Sequence, residues 1–376
     1  MNNILLVSEI FPPTHGGSGR WFKEIYSRVS NANVHYLVGC HERRINEGNI
    51  TPYNLGSDQW GVMNFRGLVY YIRSSFKVLS VCRKHKTKQL HLGRAIPEGA
   101  MALLAKKFLG ISMVSYIHGE DVLTARQSRE HSAIVSTVLK NSDTIICNSK
   151  NTKSIIEKHW PKFSKKLVVL NPGVDTDYFR PSETNINTCN KFKILTVGRL
   201  QQRKGQDYLI EAIAHLRDFH GITDIQYDIV GDGPDRAAIK GAIEKNSAHE
   251  LVNLHGALED SEILAHYQAC DLFAMTNRRI GSDDEGFGLV YLEAQACGKP
   301  VLSGESGGVL ETFESGKTGF SVNAITPENI SEKLLEIYKN RATLTEMGIA
   351  AREHVERTYD WSILAKRLED IIEEVK

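Results

Sequence analysis

No apolar run in the 376 residues approaches the roughly 18 residues needed to span a bilayer as a helix, so any membrane contact is expected to be peripheral. The first apolar run, Ile4 to Val7, is followed at once by Ser8 and Glu9. It is too short for the core of a secretory signal and reads as a strand. The six cysteines (Cys40, Cys82, Cys147, Cys189, Cys270 and Cys297) include no CxxC pair, which excludes zinc-ribbon and dithiol redox motifs. Free thiols in a reducing, cytoplasmic setting are expected. Net charge is almost absent, with 46 Lys plus Arg against 45 Asp plus Glu. That argues against a globally basic nucleic-acid binder and against a solvating acidic chain. No repeat of 20–50 residues is evident. With 41% apolar and 24% charged residues, the chain has the composition of a folded globular protein of two or three domains.

The near-zero charge conceals two unlike halves. Residues 1–180 carry 25 basic and 13 acidic side chains, net +12, and residues 181–376 carry 21 and 32, net −11. Such asymmetry predicts two domains with different partners.

Short apolar runs alternate with helical patterns along both halves. Strands are expected at 4–7, 34–38, 89–92, 112–117, 144–147 and 167–170, with helices such as 19–29, 99–109 and 152–159 between them. After a polar linker, Arg180 to Asn190, the pattern restarts with strands at 192–197, 226–230, 252–254, 272–275, 301–303 and 319–322. Helices are expected there at 206–217, 235–248, 260–269 and 289–297. The fold class is therefore α/β, two doubly wound Rossmann-like domains facing each other across a cleft. The expected division is 1–175, joined by the amphipathic C-terminal helix within 358–376, and 176–357.

Several loops at strand ends carry chemistry. FPPTHGGSGR (Phe11–Arg20) puts Gly16, Gly17 and Gly19 between a strand and a helix, where backbone can approach an anion or a sugar. An ordinary strand–helix turn has the same composition, and the spacing is not GxGxxG, which disfavours a dinucleotide site. HGED (His118–Asp121) ends a strand and offers His118 to a substrate hydroxyl, unless backbone groups already satisfy it. VGRLQQRKG (Val197–Gly205) supplies Arg199 and Lys204, a guanidinium and an ammonium suited to a diphosphate or simply solvated. Gly231 and Gly233 in VGDGP bracket a tight turn expected to shape a pocket wall. In EGFGLVYLEAQACGKPV (Glu285–Val301), Glu285 precedes a helix and Glu293 lies about one turn inside it. The amides of Gly286, Phe287, Gly288 and Leu289 fall at that helix's N-terminus, which favours phosphate. Dipole stabilisation plus one exposed Glu would account for the same pattern.

Taken together, these motifs and NPGVDTDYFRP (Asn171–Pro181) resemble the retaining glycosyltransferases of family 4, with the GT-B fold, over nearly the whole chain. The resemblance implies transfer of a sugar from a nucleotide diphosphate donor by front-face displacement, with no metal required. It implies that Arg199 and Lys204 clamp the diphosphate and Glu293 holds the ribose. Glu285, aided by amides 286–288, would contact the donor sugar, and His118 would lie near the anomeric centre. Gly16 and Gly17 would let the first loop approach the diphosphate and acceptor. The first loop and the polar stretch before Glu285 resemble phosphatidylinositol mannosyltransferases. The donor implied is thus GDP-mannose or a UDP-hexose, with GDP-mannose placed first.

From Gln59 to Pro97 there is no acidic residue but there are eight basic ones, interleaved with aromatics. A helix of that kind, bearing Arg73, Lys77, Arg83 and Lys84, suits an anionic membrane face and a lipid-linked saccharide acceptor, although a solvated helix packed on the sheet would look alike. No nucleic-acid module accompanies the charge. The expected location is cytoplasmic, peripheral on the inner face of the membrane. A nucleotide-sugar epimerase, a transferase to a small soluble acceptor and a non-catalytic relative are the competing functions.

Overall fold

Two parallel sheets organise the chain. The computed structural model describes residues 2–12, 17–39, 49–53, 65–183, 191–281 and 283–375. These form two compact units, one of residues 1–172 with 361–376 and one of residues 173–360.

The first unit contains, in order, β1 (Asn2–Ser8), α1 (Gly17–Tyr26), β2 (Ala32–Gly39), β3 (Ile50–Tyr53) and α2 (Phe65–Lys84). There follow β4 (Gln89–Leu92), α3 (Ala100–Leu109), β5 (Ser112–Ile117), α4 (Glu120–Ala125), α5 (Arg129–Asn141), β6 (Thr144–Cys147), α6 (Lys150–His159) and β7 (Leu167–Val169). The strand order is β3-β2-β1-β4-β5-β6-β7, all parallel. Strands buried on both faces must be apolar throughout, which is why β1 reads ILLV with every one of those side chains buried. Leu5, Val7, Leu90, Leu92 and Met113 pack against Val78, Cys82, Met101, Ala105 and Val138 of the covering helices. Ser128 and Ser149 cap α5 and α6, accepting from the amides of His131 and Thr152.

The second unit repeats the plan with β8 (Phe192–Val197), α7 (Gln206–His220), β9 (Ile225–Val230), α8 (Arg236–Lys245), β10 (Val252–Gly256), α9 (Asp260–Ala269) and β11 (Leu272–Met275). It continues through α10 (Leu289–Ala296), β12 (Val301–Gly304), β13 (Gly319–Val322), α11 (Pro327–Lys339) and α12 (Leu344–Thr358). The order is β10-β9-β8-β11-β12-β13. Ile194, Tyr227, Ile229 and Leu302 fill one face of this sheet, and Leu195, Val230, Phe273 and Val301 the other.

The chain then returns to the first unit as α13 (Trp361–Glu374), burying Trp361, Leu364, Leu368, Ile371 and Ile372. Gln89 of β4 donates to the carbonyls of Ile372 and Val375, both at 2.8 Å, and Glu369 accepts from the amide and hydroxyl of Ser30. Among the described residues no helix is long and apolar enough to cross a membrane. Cys82, Cys147, Cys270 and Cys297 are buried free thiols, and burial pushes the first three up to about 12. Cys40 and Cys189 lie outside the described residues.

Candidate active site

In each sheet the strand order reverses about its first strand, between β1 and β4 and between β8 and β11. Open α/β sheets bind ligands beyond the carboxyl ends of strands at such points. The loops there hold most of the expected site residues.

In the second unit, the segments after β8 and β11 converge. Lys204 Nζ contacts Glu285 Oε2, and Arg203 Nη1 reaches the same oxygen at 2.6 Å. Arg203 Nε lies 3.1 Å from Asp283 Oδ1. Burial pushes the Glu285 carboxyl up, but Lys204 and Arg203 outweigh it and hold it below the usual carboxylate range. Arg203 had no part in the expected site, which paired Lys204 with Arg199. Arg199 is exposed just past the end of β8 and makes no ion pair with a described residue.

The supporting loop is tied down from several sides. Arg278 binds Asp207 bidentately at 2.8 and 2.7 Å and stacks 3.8 Å from the Tyr208 ring centre, and its amide donates to Arg203 O. Asp284 accepts from the Glu285 amide, from Ser306 and from Arg279. Tyr291 donates to Asn277 Oδ1 at 2.7 Å.

Gly288 caps α10 with φ of +93°, a conformation that suits glycine, and Leu289 is the first helical residue. Phe287 is a core side chain against the Tyr359 ring, so only its backbone is at the site. The amides of Gly286, Phe287, Gly288 and Leu289 donate to no other described residue. Glu293 is one turn into α10, as expected, but it is buried and not exposed, and its carboxylate accepts from Tyr267 at 2.8 Å. Gly231, at φ +132°, lies so close to the loop after β8 that a Cβ would come within 2.1 Å of Gly198 O. The turn through Gly233 is pinned on that loop by Leu200 N–H to Asp232 O and Asp235 N–H to Leu200 O, at 3.1 and 3.2 Å.

In the first unit, His118 follows β5 and its Nε2 lies 2.8 Å from Gly93 O, just past β4. A carbonyl only accepts, so Nε2 carries the proton and Nδ1 is left with its lone pair. The ring meets Trp21 and Phe22 edge to face. Burial lowers its pKa against the opposing pull of Asp121. The imidazole is neutral at pH 7 and leaves Nδ1 able to accept. Gly17 is the first residue of α1, not a loop residue, and Gly16 lies outside the described residues. Nearby, Glu98 is fully buried, accepts from the Glu9 amide at 2.8 Å and is pushed up by burial.

In the basic segment, Arg73, Arg83 and Lys84 are exposed on α2, while Lys77 is half-buried over the Tyr53 ring. Two of the interleaved apolar residues, Tyr71 and Leu79, are core residues. Those left outside form one ridge: Phe65, Leu68, Ile72 and Phe76, at 81, 46, 48 and 60% exposure. They recur every three or four residues and so share a helix face.

Comparison with known proteins agrees with this plan. Residues 182–354 match the family described as glycosyl transferases group 1, and residues 15–178 match glycosyltransferase family 4. The chain is 32% identical to the GDP-mannose-dependent monoacylated alpha-(1-6)-phosphatidylinositol monomannoside mannosyltransferase of Corynebacterium glutamicum, covering 98% of this chain and 97% of that one. It is 26% identical to the GDP-mannose-dependent alpha-(1-6)-phosphatidylinositol monomannoside mannosyltransferase of Mycobacterium tuberculosis, covering 99% and 98%. Among solved structures, Anabaena Alr3699/HepE in complex with UDP and glucose is similar with a TM-score of 0.79 at 18% identity, over 98% of this chain and 99% of that one.

Proposed function

The chain belongs to the group 1 and family 4 glycosyltransferases and has their GT-B fold, and from that premise we propose that it transfers mannose, with retention, from GDP-mannose to a phosphatidylinositol-anchored mannoside or a closely related membrane-anchored glycan. The observation that carries the reading is the meeting of Lys204 and Arg203 on Glu285 directly before the free amides of α10. Two cations and a helix N-terminus form a place where negative charge is stabilised as it develops. The donor named for the relatives supports mannose and guanosine over the UDP-hexose alternative.

In this reading the donor diphosphate sits before α10, contacted by Lys204, Arg203 and the exposed Arg199. Glu293, oriented by Tyr267, takes the ribose hydroxyls, and Glu285 meets hydroxyls of the mannose. The bond between C1 of mannose and the β-phosphate oxygen breaks with its electron pair going to GDP. The acceptor oxygen bonds C1 from the same face, and its proton passes to the departing phosphate. His118 Nδ1 accepts from a sugar hydroxyl near the reacting carbon. No metal is assigned to this step, since three protein cations neutralise the leaving group.

The α2 ridge, flanked by Arg66, Arg73, Arg83 and Lys84, rests on the anionic membrane that holds the acceptor. A cavity of about 480 Å³ beside it, lined by Tyr53, Phe65, Arg66, Tyr70 and Arg73, receives the headgroup.

The test is release of free nucleotide from GDP-mannose and from UDP-glucose, each with and without mannosylated phosphatidylinositol in mixed micelles. GDP release that needs the acceptor is expected, with an α-linked product by NMR. Nucleotide release from UDP-glucose alone, or donor conversion without acceptor, would overturn the reading.

A further inference from the structure

One group of metal-ligating side chains lies outside the machinery above. Alternation along β9 sends Ile225, Tyr227 and Ile229 into the core, and Gln226, Asp228 and Val230 to the opposite face. Asp228 is thus a buried carboxylate in the middle of a parallel strand, a costly position unless it is well partnered. Its partners come from its own strand and from the edge strand β10. Gln226 Nε2 approaches its two oxygens at 3.3 and 3.1 Å, Asn253 Nδ2 reaches Oδ1 at 2.9 Å, and His255 Nε2 reaches Oδ1 at 2.8 Å.

Those bonds account for Asp228 but not for His266. His266 projects from α9, half-buried, with its ring centre 4.5 Å from that of His255. Its imidazole makes no hydrogen bond with a described residue. Ligand atoms of Asp228, His255 and His266 all lie within 4.8 Å of one another.

We infer that Asp228, His255 and His266 form a binding site for a borderline divalent transition-metal ion such as Zn²⁺, which staples α9 to the β9–β10 edge of the sheet. Two imidazoles and one carboxylate are the donor set such ions select, whereas Mg²⁺ and Ca²⁺ require mainly oxygen. A tetrahedral ion with bonds of about 2.0–2.1 Å wants its ligand atoms within roughly 3.5 Å of each other. Closing from 4.8 Å to that spacing asks for side-chain movement, which the exposed His255 and the half-buried His266 are placed to make. Gln226 and Asn253 already hold the carboxylate from behind, the office of outer-shell partners in metal sites. A water would take the fourth position. The next residue on α9, Tyr267, is the one that hydrogen-bonds Glu293, so the staple fixes the helix that orients that carboxylate.

The experiment uses the full chain stripped with a chelator and titrated with Zn²⁺, Co²⁺ and Mg²⁺, followed by calorimetry and by thermal unfolding. Zn²⁺ is expected to bind and raise the Tm, and Mg²⁺ to leave it unchanged. Co²⁺ is expected to give the visible ligand-field bands of a four-coordinate site. The His255→Ala/His266→Ala variant should bind one Zn²⁺ fewer per chain, lose those bands and lose the Tm rise. Gln226→Ala should weaken Zn²⁺ binding about 10-fold. Unchanged stoichiometry and Tm rise in the double variant would overturn the proposal, as would no Zn²⁺ binding by the wild type. Should the double variant unfold in chelator, His255→Gln and His266→Gln serve the same comparison, and the Co²⁺ spectrum of the wild type stands as a separate readout.

Discussion

Lys204 and Glu285, 81 positions apart, meet in an ion pair with only 11% of either side chain exposed. The pair joins the segment after β8 to the segment after β11. Its strength depends on Arg203, which shares the same carboxylate oxygen.

Removing Lys204 separates catalysis from folding. Lys204→Ala leaves Arg203 on Glu285, so the fold should survive with a modest fall in Tm, while kcat falls about 10²–10³-fold if the ammonium acts on the leaving diphosphate. Arg199→Ala, which breaks no ion pair with a described residue, should lower kcat with no change in Tm. Full turnover by both variants would remove the diphosphate assignment.

Glu285 also predicts an acid response. Its folded pKa is depressed, so the stability it contributes is complete above its ordinary value of roughly 4.3 and is lost as pH falls through the lower folded value. Thermal unfolding followed from about pH 6 down to about pH 3 should show a shallower acid slope in Glu285→Gln than in the wild type. The variant should also be less stable at neutral pH by roughly 3–5 kcal/mol, because two partly buried cations lose their shared carboxylate.

His118 titrates in another window. Its folded pKa is lowered too, so its contribution is complete above its ordinary value of about 6.5 and declines as pH falls towards the folded value. NMR of the imidazole nitrogens should find the proton on Nε2 at pH 7 and no titration near pH 6.5. A His118→Phe variant should keep the edge-to-face packing yet lose rate, since it offers no acceptor to a hydroxyl.

Tyr267→Phe is a fine probe of Glu293. It removes one hydrogen bond to a buried carboxylate, at a cost of about 1–3 kcal/mol. KM for the nucleotide sugar should rise several-fold with kcat little altered. An unchanged KM would detach Glu293 from the ribose.

For α2, replacing Phe65, Leu68, Ile72 and Phe76 by Ser should abolish flotation with anionic liposomes with only a small fall in Tm, because all four are at least 46% exposed. Arg73→Glu with Lys84→Glu should weaken binding at low salt, at about 1 kcal/mol for each positive charge removed near the surface. Flotation of the four-Ser variant equal to wild type would remove the ridge from the interface.

The sequence was most readable where one physical rule dominated. All six strands of the second sheet were expected, because short runs rich in buried apolar residues stand between helical patterns there. β3 was not expected: Ile50–Tyr53 is short, holds Pro52 and is only partly buried. The motifs located the loops that carry the site but not which cation does what. Arg203 and Lys204 are adjacent in sequence, and only the folded turn through Gln202–Lys204 brings both onto Glu285. Composition marked α2 as basic and aromatic. It could not tell that Tyr71 and Leu79 face the sheet while Phe65 and Phe76 face outward, because that depends on where the helix is seated. Asp228 and His266 are 38 positions apart, and no local pattern links them.

The position of α13 bears on the order of synthesis. Residues 361–375 belong to the first unit, yet all 188 residues of the second unit leave the ribosome before them. At roughly 5–20 residues per second, that interval is about 10–40 s. Throughout it the first unit lacks the partners of Gln89 and Ser30 and the apolar cover of Leu364, Leu368 and Ile372. The second unit, continuous in sequence, can finish first. The domain translated earliest is therefore completed last, and a nascent chain held short of Trp361 would present an uncovered sheet face to chaperones.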